Sequence, residues 1–452
     1  MDNKKKKWSY LKSEFIFMKK IVVIGGGYVG LVSAAGLSEF GHHVTCVDID
    51  NDKINQLNDG KIPIYEPGLN SLIESNCKKK RLYFSVDIEK EIKESDIIFI
   101  AVGTPQKKNG EVDLSYVKSV SKTISKSINK YKIICTKSTV PVGAGKMIEK
   151  ILLKNNDITD FDYVSNPEFL REGSAVKDFL IPDRLVIGAK SEKAFSIMNE
   201  VYRPIYINET PIINTTIETA EMIKYASNAF LALKISYIND IANLCEEVNA
   251  DVHEVAKAMG QDGRISSKFL HPGPGFGGSC FPKDTLALVQ MGKKFNYPVK
   301  TIEAAIAVNE EQSLRMIEKI EYLLDNKISG KKIAVLGLSF KPQTDDIRES
   351  SSTKIIPELI NKGALVNAYD PVAIENFKIY YPNLNYFENW EDTVKDADVC
   401  VILTEWNEFR GIDLKKLKLL MSNPAILDSK NILSIEQLKK LDFKYENVGR
   451  KI

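Results

Sequence analysis

The chain has 452 residues, of which 44% are hydrophobic and 27% are charged, and its formal net charge is +2. This length suggests about two to four domains, and the composition is that of a globular protein. Basic residues form no long stripe and no apolar run could cross a bilayer, which argues against nucleic-acid and membrane partners. Six cysteines without a CxxC motif and four histidines without an HxH or HxxxH pair favour a reducing, cytoplasmic location and no metal site.

Residues 1–17 do not have the pattern of a folded domain. They contain a basic run, Lys4–Lys7, but no apolar stretch or cleavage site that would make them a signal peptide. We therefore expect a disordered extension, with the fold beginning at Met18.

A strand, a glycine-rich turn and a helix follow in close succession. Ile21–Ile24 is a continuous apolar run, as in parallel strands buried on both faces. Directly after it come Gly25-Gly-Gly27-Tyr-Val-Gly30 and a helical pattern over Leu31–Phe40. A second predicted strand, His43–Val47, ends at Asp48.

This arrangement predicts a dinucleotide-binding site. Gly25 would make the turn, Gly27 would let the backbone approach a pyrophosphate, and Gly30 would allow the helix to pack closely on the strand. The helix N-terminus would stabilise the phosphate charge. Asp48 would accept hydrogen bonds from the adenine ribose and repel a 2′-phosphate, so the predicted cofactor is NAD rather than NADP.

Each of two further predicted strands is followed closely by a threonine. Ser95–Val102 is followed by Thr104, and Lys132–Ser138 is followed by Thr139. Since the carboxyl ends of parallel strands line the ligand crevice of a doubly wound sheet, both threonines are candidate cofactor contacts. A hydroxyl that closes its own turn explains each of them equally well.

A pair of glutamates lies in the segment Asn166–Gly173. Glu168 and Glu172 are four residues apart and follow Pro167. If this segment is the first turn of a helix, the two carboxylates share one face. Such pairs usually lie on a solvated acidic surface. The alternative is that the two carboxylates belong to a functional site.

From Thr215 the pattern changes to uninterrupted helix. Glu218–Val248 contains no Gly or Pro and has apolar residues on more than one face. A helix of roughly thirty residues spans about 45 Å, enough to join two domains and to pack against a second subunit. Lys224 and Asn228 are four residues apart and share a face, where polar groups need partners if they are buried.

One cysteine lies in an unusual segment. Cys280 belongs to Gly273-Pro-Gly-Phe-Gly-Gly-Ser-Cys-Phe-Pro-Lys-Asp284, a run predicted to be too rich in Gly and Pro for a helix. Its glycines would let the backbone approach a ligand, and Lys283 would favour the nucleophilic thiolate. For an isolated cysteine, a tight turn with a buried structural thiol is the commoner explanation. Helical patterns resume over Asp284–Leu323.

After Gly330 the chain repeats the pattern of its first part. Lys331-Lys-Ile-Ala-Val-Leu-Gly337 matches Lys19–Gly25, but Leu338–Pro342 replaces the remaining glycines. A pyrophosphate could therefore not bind this turn in the same way. Lys341 and Arg348 offer cations for an anionic ligand of another shape, which suggests a substrate-nucleotide site, and ordinary surface charge explains them equally well.

Seven motifs in this order resemble the UDP-glucose/GDP-mannose dehydrogenase family over nearly the whole chain from Met18. They are Gly25–Gly30, Tyr65-Glu-Pro-Gly-Leu69, Ser138-Thr-Val-Pro141, Asn166–Gly173, Lys224–Phe230, Gly275–Asp284, and Ser339-Phe-Lys341 with Arg348-Glu-Ser350. The resemblance implies oxidation of the C6 alcohol of UDP-glucose to UDP-glucuronate with two NAD. Glu168–Val176 with Pro182-Asp-Arg184 looks most like the UDP-glucose members, with GDP-mannose and UDP-N-acetylhexosamines as alternatives.

The resemblance also implies a role for individual residues. Cys280 would add to the C6 aldehyde to give a thiohemiacetal and then a thioester. Lys224 and Asn228 would stabilise the oxyanion. Asp284 and Glu168 would handle water and protons, and spacing does not decide which of them is the general base. Thr139 completes the implied catalytic set.

Ligand contacts are implied in the same way. Contacts with NAD are implied for Gly25, Gly27, Tyr28, Val29, Gly30, Asp48, Lys53, Thr104, Thr139, Glu172, Lys283 and Arg348. Contacts with the sugar nucleotide are implied for Glu168, Phe169, Leu170, Lys224, Asn228, Arg264, Phe269, Gly277, Cys280, Phe340 and Lys341. Arg264 matches an arginine that reaches the substrate site of a partner subunit, so a homodimer or larger homo-oligomer through the central helix is expected.

The predicted fold is therefore α/β, with two Rossmann-like doubly wound domains joined by a central long-helix domain. The predicted domains are 18–214 for NAD, 215–327 for the helices and the cysteine loop, and 328–452 for the UDP-sugar. The chain departs from the family at Gln106, where members often have a second threonine, and in residues 1–17. A one-step NAD alcohol dehydrogenase would need neither Cys280 nor a second nucleotide domain, and an inactive NAD-binding regulator would not need Cys280, Lys224 or Asp284.

Overall fold

A computed structural model describes residues 18–154 and 160–450. It divides the chain into two compact units, with the boundary between Tyr225 and Ala226. The extension predicted for residues 1–17 lies outside the described residues, and the division into three domains stays a prediction.

The first unit is built on an eight-stranded sheet. Its strands are β1 (Lys20–Ile24), β2 (His43–Val47), β3 (Leu82–Ser85), β4 (Ile97–Ile100), β5 (Lys132–Thr136), β6 (Phe161–Ser165), β7 (Leu185–Gly188) and β8 (Ile212–Thr215). They lie in the order β3-β2-β1-β4-β5-β6-β7-β8, and all neighbours are parallel except β6 and β7. The first six strands have the doubly wound order, with its reversal between β1 and β4, where ligands of such sheets bind.

Helices cover both faces of this sheet. They are α1 (Tyr28–Glu39), α2 (Asn51–Asn58), α3 (Leu69–Lys78), α4 (Ile88–Glu94), α5 (Ser115–Ser127), α6 (Ala144–Leu153), α7 (Ala175–Leu180) and α8 (Glu192–Val201), with a 3₁₀ helix at Arg203–Asn208. Alternate strand residues feed two cores: Val23 and Phe99 belong to one, and Val22 and Ile98 to the other. This double burial explains the continuous apolar runs in the sequence.

Helix α9 (Ile217–Val248) has 32 residues and contains the boundary between the units. The uninterrupted helix predicted over Glu218–Val248 is therefore confirmed. Across residues 18–154 and 160–450, no helix is both long enough and apolar enough to cross a bilayer.

The second unit begins with helices and ends in a second sheet. Its helices are α10 (Val252–Gln261), α11 (Phe281–Lys294), α12 (Lys300–Leu323), α13 (Ser351–Asn361), α14 (Ile374–Tyr380), α15 (Trp390–Val394), α16 (Asn407–Arg410), α17 (Leu414–Leu420) and α18 (Ile435–Lys440). Its strands are β9 (Lys332–Leu336), β10 (Leu365–Tyr369), β11 (Asn385–Tyr386), β12 (Val399–Ile402), β13 (Ala425–Asp428) and β14 (Lys444–Glu446).

The second sheet repeats the topology of the first. Its order is β11-β10-β9-β12-β13-β14, all parallel, which is again the doubly wound order with the reversal beside its first strand. The predicted α/β fold with two Rossmann-like halves and a helical region between them is confirmed.

The helical patterns predicted over Asp284–Leu323 form two helices, because the chain leaves α11 at Phe295, adopts a left-handed φ of 55° at Asn296 and reaches Pro298 before α12 begins. One prediction about this region is wrong, because α11 starts at Phe281, inside the run predicted to be too rich in Gly and Pro for a helix. Pro282 is tolerated because the first turn of a helix does not need its N–H.

Candidate active site

The glycines after β1 have the geometry that a dinucleotide site requires. Gly25 has a left-handed φ of 113°, which favours glycine. A Cβ at Gly30 would lie 1.8 Å from Gly25 O, so a side chain there would force α1 away from the strand. A Cβ at Gly27 would meet no atom within 4 Å, which leaves the approach to the start of α1 open. Tyr28 and Val29 form the first turn of that helix.

Asp48 lies just beyond β2 and faces the same turn. Its carboxylate accepts hydrogen bonds from Gly26 N (2.7 Å), Asp50 N (3.0 Å) and Lys53 Nζ (3.1 Å). Burial alone would raise the pKa of Asp48, but the two amides and the Lys53 ammonium outweigh it and lower the pKa. Asp48 is therefore an anion that fits ribose hydroxyls and opposes a 2′-phosphate.

The two predicted threonines lie in neighbouring loops at the carboxyl ends of β4 and β5. Both Thr104 and Thr139 are half-buried. The Ser138 hydroxyl donates to Val102 O at 2.7 Å and ties the two loops together. The residues that could hold NAD thus line the switch point of the first sheet, although their individual roles remain predictions.

The structure contradicts the helical turn considered for Glu168 and Glu172. Residues 166–174 are irregular, and α7 begins only at Ala175. Glu168 is buried, so the acidic-surface explanation also fails for it, while Glu172 is half-buried. The physical reason is that Glu168 accepts from the amide of Leu170 at 2.5 Å, a local bond that competes with helix formation.

Glu168 and Lys224 form a buried ion pair in the first unit. Lys224 Nζ lies 2.8 Å from Glu168 Oε1, and the side chains are 4% and 6% exposed, respectively. Burial would raise the pKa of Glu168, but Lys224, the Leu170 amide and the charge of Lys137 lower it. The pair combines a buried cation with a buried anion, a combination suited to charge stabilisation and proton transfer. Phe169 packs beside it, with its ring 5.3 Å from Lys224 Nζ and 3.6 Å from the Arg184 guanidinium.

Lys137 is a residue near this pair that the sequence analysis missed. It is 4% exposed, and its ammonium donates to Asn166 Oδ1 (3.0 Å) and Tyr202 OH (3.3 Å). Burial lowers the pKa of Lys137 to about 8. A signal was available, because this lysine directly precedes Ser138-Thr-Val-Pro141 at the carboxyl end of a buried strand.

Replacing Lys137 with methionine is expected to change how stability depends on pH. Because the folded pKa of about 8 lies below the ordinary 10.5, the unfolded chain binds more protons between these two values. This lysine therefore costs stability below about pH 8, up to ~3 kcal/mol, and the cost fades as the pH rises toward 10.5. Denaturant unfolding should show the wild type gaining stability relative to the variant between about pH 7.5 and about pH 9.5. Parallel pH curves would contradict this expectation, and the exposed Lys130→Met serves as the control.

In the second unit, Cys280 occupies the N-cap position of α11. It is half-buried, and its Sγ lies 3.6 Å from Ser279 Oγ. A helix N-terminus stabilises negative charge, so this position favours a thiolate. Lys283, expected to favour the thiolate, pairs with Asp284 Oδ1 at 2.6 Å.

Asp284 is fully buried and held on both oxygens. Lys283 Nζ bonds one oxygen, and Asn228 Nδ2 donates to the other at 2.7 Å. The partners expected for Lys224 and Asn228 on the buried helix are therefore found, each with a carboxylate of its own unit. Asp284 lies four residues after Cys280 and donates its amide to Cys280 O at 2.8 Å in the first turn of α11.

Buried amides hold the loop that leads to Cys280. Asn309 accepts from Phe276 N (2.6 Å) and donates to Phe276 O (3.1 Å). Asn239 accepts from Gly273 N (2.8 Å), and Gln312 donates to Gly273 O (2.9 Å). These three side chains, on α9 and α12, fix the backbone of the loop. Sequence reasoning missed them, although polar residues on buried helical faces were a usable signal.

The predicted sugar-nucleotide residues of the second unit gather near the same loop, with one exception. Gly278 N donates to Arg348 O at 2.9 Å, and a Cβ at Gly277 would lie 2.2 Å from Glu349 O. The rings of Phe269 and Phe281 are 6.1 Å apart. Phe340 lies against Gly278, and Lys341 Nζ is 5.5 Å from the Phe340 ring. The exception is Arg264, which is exposed and pairs with Asp262 at 2.6 Å.

The turn after β9 differs from the turn after β1, because its acidic residue is buried and bonded within the protein. Asp370 occupies the place of Asp48 but is 1% exposed. It accepts from Leu338 N (2.8 Å), Ala373 N (2.9 Å) and Trp406 Nε1 (3.2 Å). Its acceptor capacity is thus used internally, consistent with a ligand mode different from that of the first sheet. Arg348 pairs with Asp346 at 2.7 Å.

Family models match three consecutive parts of the chain. They describe the NAD binding domain of the UDP-glucose/GDP-mannose dehydrogenase family at residues 19–206, its central domain at 218–311 and its UDP binding domain at 334–435. UDP-glucose 6-dehydrogenase TuaD of Bacillus subtilis (strain 168) is 50% identical over 435 residues, which cover 96% of this chain and 94% of that protein.

Solved structures show the same architecture. A UDP-glucose dehydrogenase from Pyrobaculum islandicum has a TM-score of 0.89 at 34% identity, covering 96% of this chain and 98% of that one. A UDP-D-ManNAc dehydrogenase from Pyrococcus horikoshii has a TM-score of 0.84 at 27% identity, covering 95% and 99%. Together with the open glycine turn and Asp48, these matches define an NAD-dependent oxidoreductase. The chain belongs to the UDP-glucose/GDP-mannose dehydrogenase family, as the motifs predicted.

Proposed function

We propose that this enzyme oxidises the C6 alcohol of UDP-glucose to the carboxylate of UDP-glucuronate in two steps through Cys280. The observation that carries the mechanism is the cysteine at the N-terminus of α11, with the buried Asp284–Asn228 pair one turn away. The 50% identity to a protein named UDP-glucose 6-dehydrogenase supports UDP-glucose as the substrate. The 27% identical UDP-D-ManNAc dehydrogenase has a similar fold, so fold alone does not choose the sugar.

NAD held at the glycine turn and Asp48 would supply the hydride acceptor for each of the two oxidation steps at C6. After the first step, the Cys280 thiolate adds to the C6 aldehyde, and the C–S bond and an oxyanion form. The second loss of hydride from this thiohemiacetal leaves a thioester. Water then attacks the thioester carbon, the C–S bond breaks, and the carboxylate and the thiol are released. Covalent addition makes the second oxidation feasible, because C6 keeps a hydrogen on a tetrahedral carbon.

Charged groups of the chain manage the oxyanion and the protons. We assign Lys224 and Asn228 to the oxyanion, since a positioned ammonium and an amide N–H both stabilise developing negative charge. Asp284 and Glu168 are assigned to water and proton transfer. Thr139 is the further residue of the proposed catalytic set.

The predicted ligand contacts are kept as part of this proposal. NAD is assigned to the glycine turn, Asp48, Lys53 and the loops after β4 and β5, together with Glu172, Lys283 and Arg348. The sugar nucleotide is assigned to Phe169, Leu170, Arg264, Phe269, Gly277, Phe340 and Lys341, in addition to the catalytic side chains. A cytoplasmic location remains a prediction.

We also propose a homo-oligomer formed through α9. Phe230, Tyr237 and Leu244 are 60%, 48% and 56% exposed, respectively, and lie at seven-residue intervals along the helix. An exposed apolar stripe at this spacing suits packing against a second helix. A second copy of the chain is the partner proposed here, and the exposed Arg264 is the residue proposed to reach its site.

The substrate assignment is tested with a panel of nucleotide sugars. Purified protein and NAD are incubated with UDP-glucose, GDP-mannose or UDP-N-acetylglucosamine, and the products are identified by mass spectrometry. UDP-glucuronate formed with a kcat/KM at least about tenfold above the other sugars is the expected result. Preferential oxidation of another sugar would contradict the substrate assignment but not the proposed mechanism. If no sugar were oxidised, the proposed function itself would be wrong.

A further inference from the structure

Glu66 is a buried carboxylate to which the proposed chemistry assigns no part. It is 5% exposed and lies in the loop before α3. One oxygen accepts from Tyr28 OH and from Gly173 N (2.6 Å), and the other accepts from Ala175 N (2.8 Å). Gly173 N also lies 3.2 Å from Tyr28 OH. One side chain thus bonds two segments that are more than a hundred residues apart.

In the proposed function, one of these segments carries contacts with NAD, and the other carries most of the first unit's contacts with the sugar nucleotide. Tyr28 directly follows Gly27 in the turn assigned to NAD. Gly173 lies near the end of the irregular segment 166–174, and Ala175 begins α7 directly after it. This segment carries Glu168, Phe169 and Leu170, which are assigned to the sugar nucleotide, as well as Glu172, which is assigned to NAD. If either segment shifts, the distances between the Glu66 carboxylate oxygens and the groups that donate to them therefore change.

The bonds to Glu66 are suited to transmit such a shift. Hydrogen bonds to an ionised carboxylate are about twice as strong as neutral ones. Burial, followed by the hydrogen bond to Glu66, raises the pKa of Tyr28, so the phenol stays protonated and remains a donor. Hydrogen bonds in a network polarise and strengthen one another, so removing one of these bonds weakens the others.

We propose that Glu66 is a positioning residue that couples the binding of NAD to the binding of the sugar nucleotide. This inference rests on the proposed function. By linkage, if the sugar nucleotide tightens cofactor binding, the cofactor tightens sugar-nucleotide binding by the same factor. A carboxylate that merely closed the start of α7 would affect both affinities without changing this factor.

The test variant is Glu66→Gln. A glutamine side chain has one acceptor oxygen, and its NH₂ group would face either Ala175 N or Gly173 N, so at least one backbone bond is lost. Tyr28→Phe is the second variant, because it keeps both bonds from Glu66 to the backbone and removes the link to the glycine turn. Glu74→Gln is the matched control, since this exposed carboxylate pairs with Lys78 on α3.

The measurement is the Kd of NADH by fluorescence, with and without saturating UDP-glucose, a pair that cannot turn over. Circular dichroism and the melting temperature first establish that each variant is folded. UDP-glucose is expected to tighten NADH binding at least about fivefold in the wild type and in Glu74→Gln, and by less than about twofold in Glu66→Gln and Tyr28→Phe.

Two results would overturn the coupling role alone. One is that Glu66→Gln and Tyr28→Phe keep the wild-type factor by which UDP-glucose tightens NADH binding, even if they bind both ligands more weakly. The other is a wild type that binds NADH and UDP-glucose without coupling. Failure of the wild type to bind either ligand would instead overturn the proposed function, and the coupling role with it.

Discussion

Replacing Cys280 with alanine is expected to lower kcat by at least about 10³-fold, because the variant has no nucleophile to add to the aldehyde. The NADH formed in the steady state measures this loss. Binding of NADH and of UDP should change by less than about threefold, since the side chain lost is small and half-buried.

Cys77→Ala is the matched control for this variant. Cys77 is also half-buried, and it lies near the end of α3, a helix to which no role in the reaction is assigned. Its replacement should leave kcat within about twofold of the wild type. A Cys280→Ala enzyme that produces UDP-glucuronate at the wild-type rate would disprove covalent catalysis at this residue.

Replacing Lys224 with methionine is expected to lower kcat by about 10²- to 10⁴-fold, because the oxyanion loses its positioned cation. It is also expected to destabilise the fold by about 3–5 kcal/mol, since Glu168 would be left as a buried charge without its ion-pair partner. Steady-state kinetics and denaturant unfolding measure the two effects separately.

A second replacement separates these two effects. In Lys224→Met with Glu168→Gln, the buried charge is gone, so most of the lost stability should return while kcat stays low. Lys146→Met, which breaks an exposed pair with Glu218, should change stability by less than about 1 kcal/mol. If the double variant recovered activity together with stability, Lys224 would be structural rather than catalytic.

The sequence was informative wherever short-range rules decide the structure. The apolar run Ile21–Ile24 predicted a buried parallel strand, and the matching pattern in Lys331–Gly337 corresponds to a second one, because both faces of these sheets are covered. The place of Asp48 followed from the strand–turn–helix pattern, since the acid is separated from the glycines by one helix and one strand.

Long-range contacts decided what the sequence did not predict. Glu168 was predicted on a possible helix face, but its position depends on Lys224, which lies 56 residues further along the chain. Lys137 looks like a strand-end surface residue until Asn166 and Tyr202 enclose it. Likewise, the amides that hold the cysteine loop come from two helices, and no local pattern pairs Asn309 with Phe276.

The central claim is a two-step oxidation through Cys280, and the number of NADH molecules formed per UDP-glucose consumed tests it most directly. With limiting UDP-glucose and excess NAD, the account predicts about two NADH for each UDP-glucuronate, with no aldehyde trapped from solution. One NADH per sugar, with a free aldehyde as the product, would contradict the account and make the enzyme a one-step alcohol dehydrogenase.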